Sequence, residues 1–233
     1  MKILVQKNDD KDCIGLVNAL PEHEIVLWSP TEEVVKADLY IFTEPEKLGY
    51  ETAKTATKTL FFKCVQPAIF KKPCISVETI PLCADMARYP LTIPNKKVAC
   101  DVFYLSNFPL DDNKINLLSQ IQGQFTFRIA GNIPVNLPNY IGRLDSPQEV
   151  SEYCLSAGLC IDFDFNYAPD ILKIGGRVIT SKENTLDIPT FSDNINEVIA
   201  DTLAKKKPVL NKYEVSIISY KALATNLFQM LGL

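Results

Sequence analysis

The chain has 233 residues, 47% of them hydrophobic and 22% charged, which is enough apolar material for one large domain or two compact ones and too much for a disordered chain. Twenty-four basic residues against 28 acidic ones leave a net charge of −4, so no overall positive field draws in a polyanion, and a dedicated nucleic-acid binder is disfavoured. No window reaches the roughly 18 apolar residues of a spanning helix, and the opening Met1–Asp10 reads as strand then loop. Membrane insertion and secretion are therefore not expected, and a cytoplasmic location is, that of the host if the protein is viral.

The seven cysteines, Cys13, Cys64, Cys74, Cys83, Cys100, Cys154 and Cys160, are scattered without Cys-x2-Cys pairs and read as reduced, buried thiols. The single histidine, His23, excludes a three-histidine metal site. Any Ser-His-Asp or Cys-His device would have to use it, and it lies in the turn Pro21–Glu24, where it reads as an ordinary loop residue. No acidic cluster has metal-ligand spacing, so no metal is expected.

In chain order, Lys2–Gln6 reads as a strand ending in the polar turn Asn8–Lys11. A helix with Ile14, Leu16, Val17 and Leu20 on its apolar side follows, closed by Pro21. Ile25–Trp28 is the next strand, Glu32–Lys36 a short helix and Leu39–Phe42 a third strand, which is the βαβ rhythm of a parallel sheet. Residues 46–58 predict a helix, Thr59–Phe62 a fourth strand and Cys74–Val77 a fifth. Ile80–Pro94, with Pro81, Pro90 and Pro94, reads as a crossing between lobes.

The rhythm then repeats. Asp101–Leu105 is a strand, Asn113–Ile121 a helix stopped at Gly123, Gln124–Ala130 a strand, and Tyr140–Ile141 a minimal one before the turn Gly142–Asp145. Ser146, Pro147 and Glu149 form an N-cap serine, a proline at the first helical position and a capping-box glutamate, starting a helix that Gly158 ends. Leu159–Phe163 is a strand, Asp170–Ile174 a short helix, Arg177–Thr180 a strand and Asp193–Lys206 a helix with three lysines at its C-terminus. Lys212–Leu231 predicts a last helix of roughly 30 Å, long enough to pack across both lobes. The fold class expected is α/β, with two Rossmann-like lobes of mostly parallel strands: residues 1–95, residues 96–211, and a crossing helix over 212–233.

In open parallel sheets ligands bind outside the carboxyl ends of the strands, where loops are free of packing duty and helix N-termini offer unpaired N–H groups. The polar residues at those ends are Asn8, Asp9, Asp10, Glu44 and Glu78 in the first lobe, and Ser106, Asn107, Gly131, Asn132, Arg143, Asp164–Asp170 and Ser181–Glu183 in the second. The stretch Asp162–Thr180 is the richest: a strand end, a polar turn with Pro169, one helical turn near Asp170, and Gly175-Gly176 reversing the chain. Its helix-start N–H groups suit a diphosphate and the Asp170 carboxylate suits a ribose diol. Lys173, Arg177, Arg143 and Lys114 are candidates to neutralise phosphate. Equally, Asp170 can cap its own helix and the glycine pair can be a tight turn.

The segment Asp170-Ile171-Leu172-Lys173-Ile174-Gly175-Gly176-Arg177-Val178-Ile179 resembles the glutamate-x-x-x-x-glycine stretch and following strand in the C-terminal lobe of GT-B fold glycosyltransferases. Asp162 and Asp170 stand eight positions apart, the separation of the two acidic residues in many retaining members. The resemblance implies that Asp170 meets the nucleotide ribose, that Asp162 lies near the sugar, and that the loop at Ser106 and Asn107 approaches the donor diphosphate. It extends over about residues 98–231. Both acids are Asp where Glu is usual, no glycine-rich loop follows the first strand of either lobe, and the N-terminal lobe is short.

The function implied is transfer of a sugar from a nucleoside diphosphate sugar, a co-substrate and not a resident cofactor. The acceptor would be a glycan, a small molecule or modified DNA of the kind decorated in phage, entering from the first lobe. An inverting reaction needs a base within about 3 Å of the acceptor hydroxyl; Asp9, Asp10, Glu44 and Glu78 are candidates by position. The competing reading is a glycosyltransferase-like binding or structural protein without catalysis, favoured by the missing glycine-rich loop. A dinucleotide oxidoreductase or a methyltransferase is less favoured, because no Gly-x-Gly-x-x-Gly follows Gln6. The oligomeric state is left open.

Overall fold

A computed structural model describes residues 1–7, 11–43, 58–62, 74–77, 83–106, 110–121, 123–131, 137, 139–184, 186–206 and 217–233. The chain divides into two compact units, Met1–Asp85 with Ile218–Leu233, and Met86–Ile217. Residues 86–95 thus belong with the second unit, and the structural boundary falls within the Ile80–Pro94 stretch instead of after it.

The first unit is built on a parallel sheet in the order β2-β1-β3-β4-β5, from β1 (Lys2–Gln6), β2 (Glu24–Trp28), β3 (Leu39–Phe42), β4 (Thr59–Phe62) and β5 (Cys74–Val77). β1 and β3 are near-continuous apolar runs, buried on both faces as inner parallel strands must be, whereas edge strand β2 exposes Glu24 and Leu27. Ile3, Val5, Leu39 and Ile41 form the core with Leu16 of α1 (Lys11–Asn18) and with Leu223 and Leu227 of the final helix, Tyr220–Met230. Glu32–Lys36 is not helical. Ser29 donates its amide to the Glu32 carboxylate at 2.9 Å and the Trp28 indole donates to the Glu32 carbonyl at 3.2 Å, which fixes a turn there. The β-branched pair Val34-Val35 then runs without helical bonds towards β3. The helix expected over 46–58 lies almost wholly outside the described residues.

The second unit carries a four-stranded parallel sheet in the order β10-β9-β7-β8, from β7 (Cys100–Ser106), β8 (Phe127–Gly131), β9 (Ala157–Asp162) and β10 (Val178–Thr180). Parallel bridges from Tyr140 to Ile129 and from Thr190 to Thr180 widen it by one position on each side. Chain order thus runs outward from β7 through β8 to Tyr140, then returns to β9 on the other side of β7. The reversal between β7 and β9 is a topological switch point, where the connections diverge and leave a crevice.

Helices α2 (Asp112–Ile121) and α5 (Ile195–Ala204) bury Leu117, Leu118, Ile121, Ile195 and Ile199 against Val102, Ile129 and Ile161 of this sheet. α3 (Pro147–Ser156) has the capping expected of it: Ser146 Oγ accepts from the Glu149 amide at 3.1 Å. Glu149 reaches back one residue further than a standard box, its Oε2 accepting from the Asp145 amide at 3.1 Å.

Gly158 does not stop α3. The C-cap is Ala157, and the chain passes directly into β9 with Gly158 inside the strand. A Cβ at Gly158 would lie 2.6 Å from Leu203 and 2.8 Å from the Asp101 carbonyl oxygen, so the glycine serves close packing.

The last helix, α6 (Tyr220–Met230), has 11 residues and spans about 16 Å, half the expected length. It is preceded by β11 (Ile218–Ser219), which pairs in parallel with β6 (Cys83–Ala84) of the same unit, and the Ser219 hydroxyl caps it by accepting from the Ala222 amide. Lys212–Ser216 lie outside the described residues. Cys13, Cys83, Cys100, Cys154 and Cys160 are buried. His23 packs its ring 5.9 Å from that of Phe228, a contact within the first unit. Among the described residues no helix is long and apolar enough to cross a membrane.

Candidate functional site

The carboxyl ends of β9, β7 and β8 bring Asp162, Ser106 and Gly131 to one edge of the second unit's sheet. Two depressions share Leu105 as a wall there. The one at the switch point is lined by Tyr104, Ser106, Lys114, Asp162, Asp164 and Tyr167, and encloses about 20 Å³. That is room for about one water molecule. The other lies over the ends of β7 and β8 and the start of α3. It encloses about 330 Å³ and is lined by Arg88, Gly131, Arg143, Asp145, Ser146 and Val150 among others.

Of the residues singled out from sequence, Ser106, Lys114, Asp162, Asp164, Asn166 and Tyr167 meet at the first depression, and Gly131 and Arg143 line the second. Ser106 is 4% exposed, and burial pushes the neighbouring Tyr104 hydroxyl up to about 12 although its hydrogen bond with Ser106 pulls the other way. Lys114 is paired with Asp164 at 2.7 Å and lies 5.7 Å from the Phe163 ring. Its charge is partly spent within the protein.

Asp162 has a clear local task. Its Oδ2 accepts from the backbone amides of Tyr167 and Ala168, each at 2.6 Å, and so caps α4 (Ala168–Lys173) from five residues upstream. The turn between them needs Phe165 at φ 59°. These are the helix-start amides expected to receive a diphosphate, and here a protein carboxylate holds them. Pro169, the next residue, has no N–H to offer.

Asp170 is 1% exposed and does not face open crevice. It lies beside Tyr89, a fully buried tyrosine whose hydroxyl is held well above its usual range by burial first and then by Cys154 and Asp170, with Arg88 opposing. Tyr89 packs its ring 6.2 Å from Tyr167, and Arg88 stands 4.5 Å over the Tyr167 ring. The segment following residue 85 thus covers the aspartate.

Lys173 and Arg177 are not at the ligand edge. Arg177 immediately precedes β10, and its carbonyl accepts from the Cys160 amide at 2.7 Å, which places it at the opposite, amino-terminal edge of the sheet. Burial lowers its pKa. Lys173 ends α4, about 9 Å along the helix from its start. Nearness to Asp170 in sequence does not bring either side chain to the carboxyl edge, because α4 and the turn after it carry the chain back across the sheet. Asp9, Glu44, Glu78 and Asn107 lie outside the described residues, as do Asn8 and Asp10.

The sequence reading passed over Arg88, Tyr89 and Asp145. In the sequence Arg88 and Tyr89 fall within the linker-like stretch Ile80–Pro94, and Asp145 ends the turn Gly142–Asp145. The signal in the sequence for Asp145 is the oppositely charged pair Arg143 and Asp145, two residues apart between Tyr140 and the Ser146 cap. Among the described residues no group of three or more His, Cys, Asp or Glu is placed to hold a metal ion.

No family model matches this chain, and no curated protein is similar to it in sequence. Among solved structures, AviGT4, a glycosyltransferase involved in avilamycin A biosynthesis, superposes over 99% of this chain and 96% of its own with a TM-score of 0.56 and 14% identity. The chain has the GT-B fold. The UDP-GlcNAc 2-epimerase from Methanocaldococcus jannaschii is also similar, over 98% of this chain and 99% of its own, with a TM-score of 0.47 and 10% identity. Within the GT-B frame the second unit is the C-terminal lobe, β7 its first strand and α4 the helix carrying Asp170.

Proposed function

We propose that the protein transfers a sugar from a nucleoside diphosphate sugar, binding the nucleotide on the second unit at the carboxyl edge of β8, β7 and β9. The observation that carries this reading is the cavity of about 330 Å³ beside the switch point, lined by Arg143 and bordered by the narrow β7 end. Its size suits a base and ribose, since small-molecule sites begin at about 300 Å³. The diphosphate then passes over Ser106 towards Lys114, and the sugar lies at the β7/β9 end near Asp162. Cationic side chains at that edge stabilise charge growing on the departing diphosphate, an electrostatic contribution that needs no covalent intermediate. Under this reading Asp162, held by the α4 amides, frames the sugar and does not carry a proton.

A second reading is a nucleotide-binding protein without transfer activity. It is favoured by the burial of Asp170 behind Tyr89 and by the commitment of Asp162 to the α4 amides. The two separate in one experiment: incubation with a panel of sugar nucleotides, followed by mass spectrometry for free nucleoside diphosphate. Release above the spontaneous rate with a subset of donors supports transfer or donor hydrolysis. Binding without release supports the second reading, and neither binding nor release overturns both.

A further inference from the structure

We infer that the cavity at the start of α3 selects guanine over uracil, with Asp145 as the specificity-determining residue. The inference rests on the nucleotide reading above and deepens it by naming the base.

Arg143 and Asp145 both line this cavity. Neither side chain forms an ion pair or hydrogen bond among the described residues, although they are two residues apart and opposite in charge. Asp145 takes part in the capping of α3 through its backbone amide alone, donated to Glu149 Oε2. Its carboxylate is therefore an uncommitted acceptor, and the Arg143 guanidinium an uncommitted donor, on the wall of one cavity. The exposed ring of Pro147 and the aliphatic Val150 and Leu144 supply apolar surface for a flat ring between them.

Guanine carries two adjacent donors, N1–H and the 2-amino group, and two adjacent acceptors, O6 and N7. A carboxylate accepts both donors side by side, and a guanidinium donates to both acceptors. Uracil has one N–H flanked by two carbonyl oxygens, so a carboxylate that reaches the N–H also faces at least one carbonyl dipole of the wrong sign. Adenine and cytosine each offer an amino donor next to an unprotonated ring nitrogen, another mismatch to a carboxylate. Asp145 and Arg143 are both exposed in the free chain, so discrimination arises when a bound ring covers them: a carboxylate covered by a base that lacks the matching N–H groups loses its water partners without replacement.

Charge also sets the direction of the ligand. Asp145 places a negative group at the start of α3, which disfavours phosphate at that helix terminus and favours the base there. The diphosphate is then directed away from Asp145, past Leu105 towards Ser106 and Lys114 at the β7 end.

The test is calorimetric titration of GDP, IDP and UDP into the wild-type chain and into Asp145→Asn, with circular dichroism to verify that the variant is folded. The expected result is at least tenfold tighter binding of GDP than of UDP. IDP, which lacks the 2-amino group, falls between them, and the GDP preference collapses to less than threefold in Asp145→Asn. UDP binding as tightly as GDP, or Asp145→Asn weakening both nucleotides equally, overturns the guanine inference and leaves the nucleotide reading standing. No binding of any of the three to folded protein overturns the nucleotide reading itself.

Discussion

Gly131 and Ser106 meet at the ends of β8 and β7 so closely that a Cβ on Gly131 would lie 1.7 Å from the Ser106 carbonyl oxygen. Gly131 also has φ +121°, a conformation side chains rarely adopt, and its carbonyl accepts from the Tyr140 hydroxyl at 2.6 Å. The floor of the candidate site is thus a backbone contact that only glycine permits. Gly131→Ala is expected to cost about 2–3 kcal/mol or more, since backbone strain and a backbone clash add. The urea midpoint reports it, and an unchanged midpoint would show that the contact is looser than described.

Asp162 is assigned a cap, and a cap has a stability signature. Asp162→Ala is expected to lower stability by about 1–2 kcal/mol by leaving the Tyr167 and Ala168 amides without their acceptor. Asp162→Asn, which keeps one side-chain oxygen, is expected to lose less. A residue serving chemistry alone would leave the melting temperature of both variants unchanged.

The first unit provides an independent check of how α6 docks. A Cβ at Gly15 of α1 would fall 2.3 Å from the Tyr220 ring, and the Tyr220 hydroxyl donates to Asp12 at 2.6 Å. Gly15→Ala is expected to destabilise by about 1–3 kcal/mol through overpacking, outweighing the better helix propensity of alanine. Thermal melts decide the sign. Stabilisation would mean that α6 does not pack on α1 as described.

Alkaline pH should destabilise the second unit. Burial pushes the Cys100 thiol from 9.0 up to about 12 and the Tyr104 hydroxyl from 10.0 up to about 12. Both groups are neutral when protonated, and the folded state holds their protons more tightly than the unfolded chain. Their contribution to stability is therefore complete below about pH 9 and declines as pH rises towards 12, by a few kcal/mol in total at about 1.4 kcal/mol per unit. Tyr104→Phe should flatten the loss above pH 10, and a urea midpoint that stays level from pH 9 to 12 would contradict the burial of both groups.

The strands were legible because inner parallel strands are short apolar runs between polar turns, as Leu39–Phe42 shows. α3 was legible because Ser146, Pro147 and Glu149 carry its start in three residues. What escaped depends on partners distant in sequence. β6 and β11 are two residues each and exist only by pairing with one another, and Gly158 reads as a stop signal until Leu203 is placed against it. At the site, the GT-B likeness led to Asp162 and Asp170 and to the carboxyl edge of the sheet. It did not reveal that Tyr89 covers Asp170, or that Arg177 belongs to the opposite edge. Arg143 was found for its charge, whereas Asp145 became visible only with the cavity.

The central claim is that a nucleotide binds at the carboxyl edge of the second unit's sheet, beside Arg143. Calorimetric titration of a nucleoside diphosphate into wild type, Arg143→Ala and Arg177→Ala tests it most directly. The account predicts about tenfold weaker binding for Arg143→Ala, equivalent to ~1.4 kcal/mol, and wild-type affinity for Arg177→Ala. Undiminished binding by Arg143→Ala, or an equal loss in both variants, would contradict it.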